Sequence, residues 1–177
     1  MLNKNTIVFG LIAGLISSIW VMIFPFLDPS FDYGNGMIYG YTAMIIAFSL
    51  IFVGIKNYRD RFNSGVVTFG SAFLVGLYIT LIASTIYVVV WLLDYYFLVP
   101  DFFDIMSKSY QAKLKAAGAS EAELQASIAE MLKYKELYQN PLFNAAMTYM
   151  EIVPLGLVIS LIAAAILKRK EATASAS

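Results

Sequence analysis

Long apolar stretches separated by short polar segments dominate the chain. A bilayer core of about 30 Å requires about 20 consecutive apolar residues in a helix that rises about 1.5 Å per residue. Four stretches meet this requirement, at residues 6–27, 37–55, 66–99 and 142–167. The first shows no small-residue cleavage pattern, which is typical of a retained helix rather than a secretory signal. The pattern therefore predicts an all-α, polytopic membrane protein with four transmembrane helices.

The segment between the third and fourth stretches has an amphipathic pattern instead. Apolar residues near helical spacing run from Phe102 to Leu114, and Gly118 is placed to end this helix with a left-handed C-cap. Ser120 and Glu123 then have the spacing of a capping box, in which each residue satisfies a free backbone donor of the other. A second helix is therefore predicted to begin here.

The second amphipathic helix is predicted to end near Gln139. Asn140 and Pro141 follow as the N-cap and first residue of the fourth transmembrane helix. The sequence thus predicts a two-helix hairpin over 101–140 outside the membrane, either as a rigid spacer or as a docking surface for another protein. The whole chain is predicted to be a single membrane domain with a disordered tail at 171–177.

Basic residues in the short flanks predict the orientation, because such flanks carry an excess of Lys and Arg on the cytoplasmic side. The segment at 28–36 contains neither Lys nor Arg and is placed on the opposite side. Both termini are therefore predicted to be cytoplasmic and the hairpin to be on the other side. The basic positions that carry this prediction are Lys4, then Lys56, Arg59 and Arg61, then Lys168, Arg169 and Lys170.

Composition narrows the chemistry. The chain is 60% hydrophobic and 14% charged, whereas soluble domains are about 25% charged. Because it contains no histidine and no cysteine, it has no imidazole base, thiol nucleophile, disulfide or Cys/His metal site. A net charge of +0 gives no basic excess for nucleic acid, and no phosphate-binding loop, nucleophile elbow or dinucleotide motif is present. We therefore expect that the protein is not an enzyme and that it binds no cofactor, metal or nucleic acid.

Small residues at helical spacing predict where the transmembrane helices pack, since helices in lipid associate through close backbone approach. One such series is Gly10, Gly14 and Ser18 in the first helix, and another is Gly36 and Gly40 in the second. Packing within one chain and homo-oligomerisation are both consistent with these series.

Glu151 is the ionisable residue deepest within a predicted span. It lies about 13 Å along the fourth helix from its outer end, which places it near the bilayer centre. A charged side chain there costs about 2.5–3.5 kcal/mol, and no Lys or Arg lies within any predicted span. We therefore expect a neutral, protonated carboxyl with hydrogen bonds to uncharged partners.

Helical spacing suggests those partners. Asn144 and Thr148 share a face with Glu151, and a polar and aromatic stripe runs along the third helix. That stripe consists of Thr80, Ser84, Tyr87, Trp91 and Asp94. Asp94, together with Tyr95 and Tyr96, is predicted to lie at the wet end of the helix. The predicted intramembrane polar site contains Glu151, Tyr87, Ser84, Thr148, Asn144 and Asp94, with Thr42 of the second helix beside it. It could hold helices together, handle protons or cations, or bind the headgroup of a lipid or small ligand.

A short basic run follows the second helix and is predicted to form an inner loop at 54–61. Basic residues at this position attract anionic headgroups by about 1 kcal/mol each. Contact with lipid and contact with a protein partner both fit the run, whose polar residues are Lys56, Asn57, Tyr58, Arg59, Asp60 and Arg61. Trp20, Trp91, Tyr95 and Tyr96 are expected to be interfacial anchors and packing residues.

Several runs together resemble a known family. They are FVGIKNYRD (52–60), YVVVWLLDYYFLVPDF (87–102), KYKELYQNPLF (133–143) and TYMEIVPLGLVISLI (148–162). They are similar to a bacterial membrane-protein family known only as a domain of unknown function, and the similarity extends over essentially the whole chain. It implies a four-helix inner-membrane protein of Gram-negative bacteria and no particular activity. Its motif positions include Gly54, Lys56, Tyr58, Arg59, Asp60, Asp94, Pro100, Glu151 and Pro154.

The sequence therefore favours a structural or accessory membrane protein that acts through partner contacts. The alternative is a small proton-coupled transporter or channel-like protein centred on Glu151. A lipid-modifying enzyme ranks third, because the chain lacks histidine and paired metal ligands.

Overall fold

Helices account for nearly all of the chain that the structure describes. The computed structural model describes residues 3–27 and 36–169, with side chains described outside 20–27 and 36–37. The described helices are α1 (Lys4–Leu27), α2 (Gly36–Phe48), α3 (Leu50–Asn57), α4 (Phe69–Leu93), α5 (Phe102–Ala116), α6 (Glu121–Tyr138) and α7 (Pro141–Leu167). Two π-helical turns extend α3 and α4, at Tyr58–Phe62 and Asp94–Leu98 respectively. Most of the predicted segment at 28–36, the tail at 171–177 and the Trp20 side chain lie outside the described residues.

Three continuous helical runs are long and apolar enough to cross a membrane. They are Ile38–Phe62, Phe69–Leu98 and Pro141–Leu167. The first joins α2 to α3 because Ser49 keeps right-handed helical dihedrals. In α1, the apolar portion with described side chains is Lys4–Ile19, which is shorter than a span. The all-helical fold with membrane-length helices agrees with the sequence pattern.

The long helix α4 forms the centre of the bundle and packs against both α1 and α7. Apolar residues lie on all sides of α4, so the helix can be buried on more than one side. Helix α3 lies against α4 and α7 as well. The largest fully buried side chains of the core are Phe48, Met44, Ile51, Ile55, Ile79 and Ile152.

Helix α1 approaches α4 through its small residues. A Cβ atom at Gly10 would overlap Ile82, and one at Gly14 would overlap Ile86. Ser18 is buried and donates a hydrogen bond to the Gly14 carbonyl at 2.6 Å. These three residues therefore lie at a packing surface within a single chain.

The second predicted glycine series differs. Among the described residues, nothing lies within 4 Å of the place that a Cβ atom of Gly40 would occupy. Of the two alternatives for this series, the described part of the chain provides no helix that packs closely against Gly40. Gly36 is the first residue of α2, and its surroundings lie outside the described set.

The predicted inner loop at 54–61 is also wrong, because this segment is helical. It contains no residue that breaks a helix, so α3 continues into the π-helical turn that ends at Phe62. The true reversal follows, where Ser64 and Gly65 both adopt positive φ, of 53° and 81°. The Gly65 N–H then donates to the Arg59 carbonyl at 2.8 Å and closes the turn.

Helix α5 ends as its sequence predicts. Gly118 has φ of 81°, and its N–H donates to the Lys115 carbonyl. The N–H of Ala119 reaches back to the Leu114 carbonyl at 3.0 Å, which completes a Schellman motif.

Helix α6 begins with the predicted capping box between Ser120 and Glu123, in which both reciprocal bonds are present. It contacts α5, and its Lys135 pairs with Asp104 of α5 at 2.7 Å. Asn140 caps α7 by accepting from the Leu142 and Phe143 N–H groups, as predicted.

Candidate functional site

The polar stripe of α4 faces the interior of the bundle. Thr80, Ser84, Tyr87 and Asp94 are all buried, and they lie on the side of α4 that α7 and its neighbours cover. On α7, Asn144 and Thr148 are buried as well. The structure therefore brings most of the predicted polar residues to one internal seam between two helices.

Hydrogen bonds along this seam join the helices at two levels. The Trp91 indole N–H donates to Asn144 Oδ1 at 2.8 Å, and the Thr80 and Ser160 hydroxyls lie 3.2 Å apart. The Thr148 hydroxyl instead donates to the backbone carbonyl of Asn144 in its own helix. Within the part of the chain that the structure describes, Ser84 Oγ and Asn144 Nδ2 are buried without a hydrogen-bond partner.

Glu151 does not point into the seam. It is exposed on the surface of α7, where its carboxyl interacts with the phenol of Tyr41 on α2. The hydroxyl of Thr42, the neighbour named from the sequence, is occupied by the Ile38 carbonyl at 2.7 Å. Tyr87 lies within electrostatic range of both Glu151 and Asp94. The predicted cluster is thus divided into an internal seam and a surface pair.

Tyr41 is the residue that sequence reasoning missed. A signal for it was available, since Tyr41 and Glu151 lie the same number of residues from the inner ends of their helices, at Asn57 and Leu167. Equal distances along antiparallel or parallel spans place two residues at equal depth. The sequence placed the second helix beside the site through Thr42, one residue after Tyr41.

An aromatic cluster joins the end of α4 to the following helices. Ring centroids within it lie 4.9 to 6.3 Å apart, mostly in edge-to-face geometry. We call this set the aromatic collar, and its members are Trp91, Tyr95, Tyr96, Phe102, Phe103, Tyr138 and Phe143. It connects α4, α5, α6 and α7.

The aromatic collar corrects the expectation that Asp94 and Tyr95 lie at a wet helix end. Asp94 is 4% exposed and Tyr95 is 7% exposed, because rings of α5 and α6 cover the end of α4. The Tyr96 hydroxyl donates to the Tyr138 carbonyl at 2.7 Å and adds a polar tie to α6. Burial raises the pKa of the Tyr138 phenol, and the Glu151 carboxyl acts in the same direction.

At the opposite end of the bundle, the basic run binds other parts of the same chain. Arg59 pairs with Asp60 at 2.6 Å and donates to the Leu167 carbonyl at the end of α7. The Asn5 side chain donates to the Gly54 carbonyl at 3.0 Å. Arginine is well suited to such end-capping because its planar group offers several donors.

The remaining residues of the basic run divide by exposure. Lys56, Asp60 and Arg61 are exposed, whereas Tyr58 packs against the core. Asn57 Oδ1 is buried and has no hydrogen-bond partner among the described residues. The exposed three are therefore the ones that remain available to lipid or to a partner.

In residues 3–27 and 36–169, no group of three or more acidic side chains lies close enough to hold a metal ion.

Val67 and Arg169 form an isolated antiparallel bridge that fastens the end of α7 to the start of α4. These contacts bring the chain's flanking segments together at one end of the bundle.

Comparison with known proteins identifies the family. No curated protein and no solved structure matches the chain. A family model described as "Protein of unknown function (DUF4199)" matches residues 8–169, from the first turns of α1 to the bridge at Arg169. This confirms the resemblance to a family without an assigned function. The chain belongs to the DUF4199 family of proteins of unknown function.

Proposed function

We propose that this chain is a four-span accessory protein of the bacterial inner membrane, which acts through contacts between an extramembrane α5–α6 hairpin and a protein partner. In this proposal α1 is the fourth spanning helix, since its 24 residues extend about 36 Å. The protein is not an enzyme in this account.

The proposed orientation is supported by the positions of the basic flanks. Asn5 contacts Gly54, Arg59 contacts Leu167, and Val67 pairs with Arg169, so three basic flanks meet at one end of the bundle. The positive-inside rule places that end, with both termini, in the cytoplasm. The hairpin then stands at the opposite face of the membrane.

The observation that carries the proposal is the aromatic collar. It fastens α5 and α6 to the ends of α4 and α7, so the hairpin is a rigid extension of the bundle rather than a loose linker. On α6, three large apolar side chains remain exposed, and they are Leu132, Tyr134 and Leu137, at 60%, 40% and 38%. Exposed apolar residues on a rigidly held helix are typical of a protein-binding surface.

The test is crosslinking in native membranes followed by affinity purification. We compare the intact chain with the double variant L132S/L137S, and with K133S/E136S as a matched control on the same helix. The proposal predicts a crosslinked protein that is lost in L132S/L137S and retained in the control. An identical set of crosslinks in all three chains would contradict it.

A second candidate function is that of a small proton-coupled transporter or channel-like protein centred on Glu151. The observation in its favour is that buried Tyr87 lies within electrostatic range of the two carboxyls, Glu151 and Asp94. In liposomes, a transporter of this kind would lose a pH-dependent flux on Glu151→Gln while keeping its melting temperature. The absence of any flux by the unmodified chain across a broad substrate screen would exclude this candidate.

A further inference from the structure

The Tyr41 phenol on α2 interacts with the Glu151 carboxyl on α7, on a surface whose large exposed side chains are mostly apolar. Both residues are exposed, and α2 contacts α7 at this side of the bundle. The surrounding exposed side chains are large and apolar, including Ile38 at 67%, Ile45 at 53% and Met150 at 71%. In a membrane this surface faces lipid, so the pair meets lipid molecules rather than the helix interior.

The depth of the pair follows from its distance to the basic end of the bundle. Tyr41 lies 16 residues before Asn57, the end of α3, and Glu151 lies 16 residues before Leu167, the end of α7 (57 − 41 and 167 − 151). At about 1.5 Å per residue, both are about 24 Å above that end. In a hydrocarbon core of about 30 Å, they lie about 6 Å below the opposite boundary.

This depth differs from the predicted position near the bilayer centre, which was counted from the start of α7. The first turns of α7 contain Phe143, a member of the aromatic collar that contacts Tyr138, and Asn144, which accepts a hydrogen bond from Trp91. They therefore belong to the part of the bundle that projects beyond the hydrocarbon. Counting from the basic end moves Glu151 to the leaflet nearest the hairpin.

The direction of the two side chains brings them closer still to that boundary. In an α-helix the Cα–Cβ bonds tilt toward the helix N-terminus. Both α2 and α7 begin at the hairpin end of the bundle, at Gly36 and Pro141. Tyr41 and Glu151 therefore both lean toward the headgroup layer, and long polar side chains reach it by snorkelling.

Charge identifies what the pair would bind. The chain has no Lys or Arg between 62 and 107 or between 136 and 167, and none between 5 and 55. A second copy of the chain therefore brings no basic side chain to this depth. Lys135 on α6 is already paired with Asp104. The other lysines on this side, at 108, 113, 115 and 133, belong to α5 and α6 and not to the spanning helices. At the depth of the pair, the ammonium group of a lipid headgroup is the cation that the proposal assigns.

We propose that Glu151 and Tyr41 form a binding site for the ammonium group of a lipid headgroup in the leaflet nearest the hairpin. In this proposal Glu151 is ionised by pairing with the ammonium group near the headgroup layer, unlike the neutral carboxyl expected at the bilayer centre. The carboxylate supplies the counter-charge, and the tyrosine ring supplies a face suited to a cation. This inference rests on the membrane placement given in the proposed function, but not on the existence of a protein partner.

The test is native mass spectrometry of the full chain released from nanodiscs of equal parts phosphatidylethanolamine and phosphatidylglycerol. We expect the unmodified chain to retain the ethanolamine lipid over the glycerol lipid by about fivefold, the scale of about 1 kcal/mol. E151Q should remove this preference. E130Q on α6 and T42A beside Tyr41 are controls that should retain it.

Each other outcome contradicts the inference. Equal retention of both lipids by the unmodified chain, or an unchanged preference in E151Q, would overturn it. A dimer that disappears in E151Q without any lipid preference would show that a second copy occupies the pair. Should E151Q fail to fold, Y41L must lower the preference, and an unchanged value there would overturn the inference equally. A failed lipid test with hairpin-dependent crosslinks intact would leave the proposed function standing.

Discussion

Thr80 of α4 and Ser160 of α7 place their hydroxyl oxygens 3.2 Å apart, and each stands opposite a glycine of the other helix. A Cβ atom at Gly156 would overlap the Thr80 side chain, and one at Gly76 would overlap Ser160. The two helices therefore carry reciprocal series of small residues, four positions apart, that allow close approach. This is the mode of packing that helices in lipid favour.

Gly156→Ala tests this contact. The added methyl group overlaps Thr80 and Phe48 in a buried site, so it should lower the free energy of unfolding by about 1–3 kcal/mol. Gly40→Ala is the matched control, because it adds a methyl group where there is open space and removes a helical glycine. Unfolding in detergent, followed by circular dichroism, should separate them. Equal effects of the two variants would argue against the contact.

Trp91→Phe tests the polar tie at the other end of the same seam. The ring contact with Phe102 persists, but Asn144 Oδ1 loses its donor at 2.8 Å. A buried acceptor without a donor costs about 1–3 kcal/mol. The same substitution should cost less in an N144L background, since the acceptor is then absent. A double-mutant cycle with no coupling would show that this hydrogen bond does not contribute.

Phe103→Ala tests whether the aromatic collar holds the hairpin. Phe103 is 6% exposed and its ring contacts Tyr95 and Tyr138. Its loss should increase amide hydrogen exchange across α5 and α6, while exchange in the centre of α4 stays slow. Tyr110→Ala is the control, because Tyr110 is 44% exposed and lies outside the collar. Slow exchange throughout the F103A hairpin would mean that other contacts hold it.

Acid should loosen the start of α6. The Ser120 backbone N–H and hydroxyl donate to Glu123 and hold the pKa of its carboxyl below the usual value. Since the folded-state pKa is lowered, the cap contributes fully above the ordinary glutamate value and is lost as pH falls through the lowered one. The protection factor at the first turn of α6, which is the intrinsic exchange rate divided by the observed rate at the same pH, should therefore fall with acid. In E123Q this protection factor should not change with pH, because glutamine does not titrate.

Local sequence signals were sufficient for most helix ends. The capping box at Ser120 and Glu123, the glycine C-cap at Gly118 and the Asn140 cap all rely on residues within one turn, so spacing alone reveals them. Hydrophobic length placed the runs Phe69–Leu98 and Pro141–Leu167 within a few residues of the predicted 66–99 and 142–167, whereas Ile38–Phe62 continues past the predicted end at 55. Contacts between helices that are distant in sequence carried no such local signal.

The candidate site shows where sequence reasoning failed. Helical spacing placed Glu151 on the same face of α7 as Asn144 and Thr148, but in the structure those two residues are buried and Glu151 is exposed. The second helix was expected beside Glu151 through Thr42, whereas the interacting side chain is that of the preceding residue, Tyr41. Trp91, Tyr95 and Tyr96 were expected to be interfacial anchors and packing residues, and Phe102 and Phe103 to be apolar positions of the next helix. Their common contact depends on the fold of α5 and α6 over the end of α4, which spacing does not reveal. The reciprocal glycines at 76 and 156 were missed, because neither has a second glycine four residues away in its own helix.

The proposed orientation is tested most directly by cysteine labelling of the two faces of the membrane. The chain contains no native cysteine, so each variant carries a single labelling site. Ala126→Cys lies on the exposed side of α6, and Ser64→Cys lies in the exposed turn after α3. In intact cells whose outer membrane admits the reagent, a membrane-impermeant maleimide should label A126C, and should label S64C only after the inner membrane is permeabilised. Labelling of S64C but not A126C in intact cells would contradict the account.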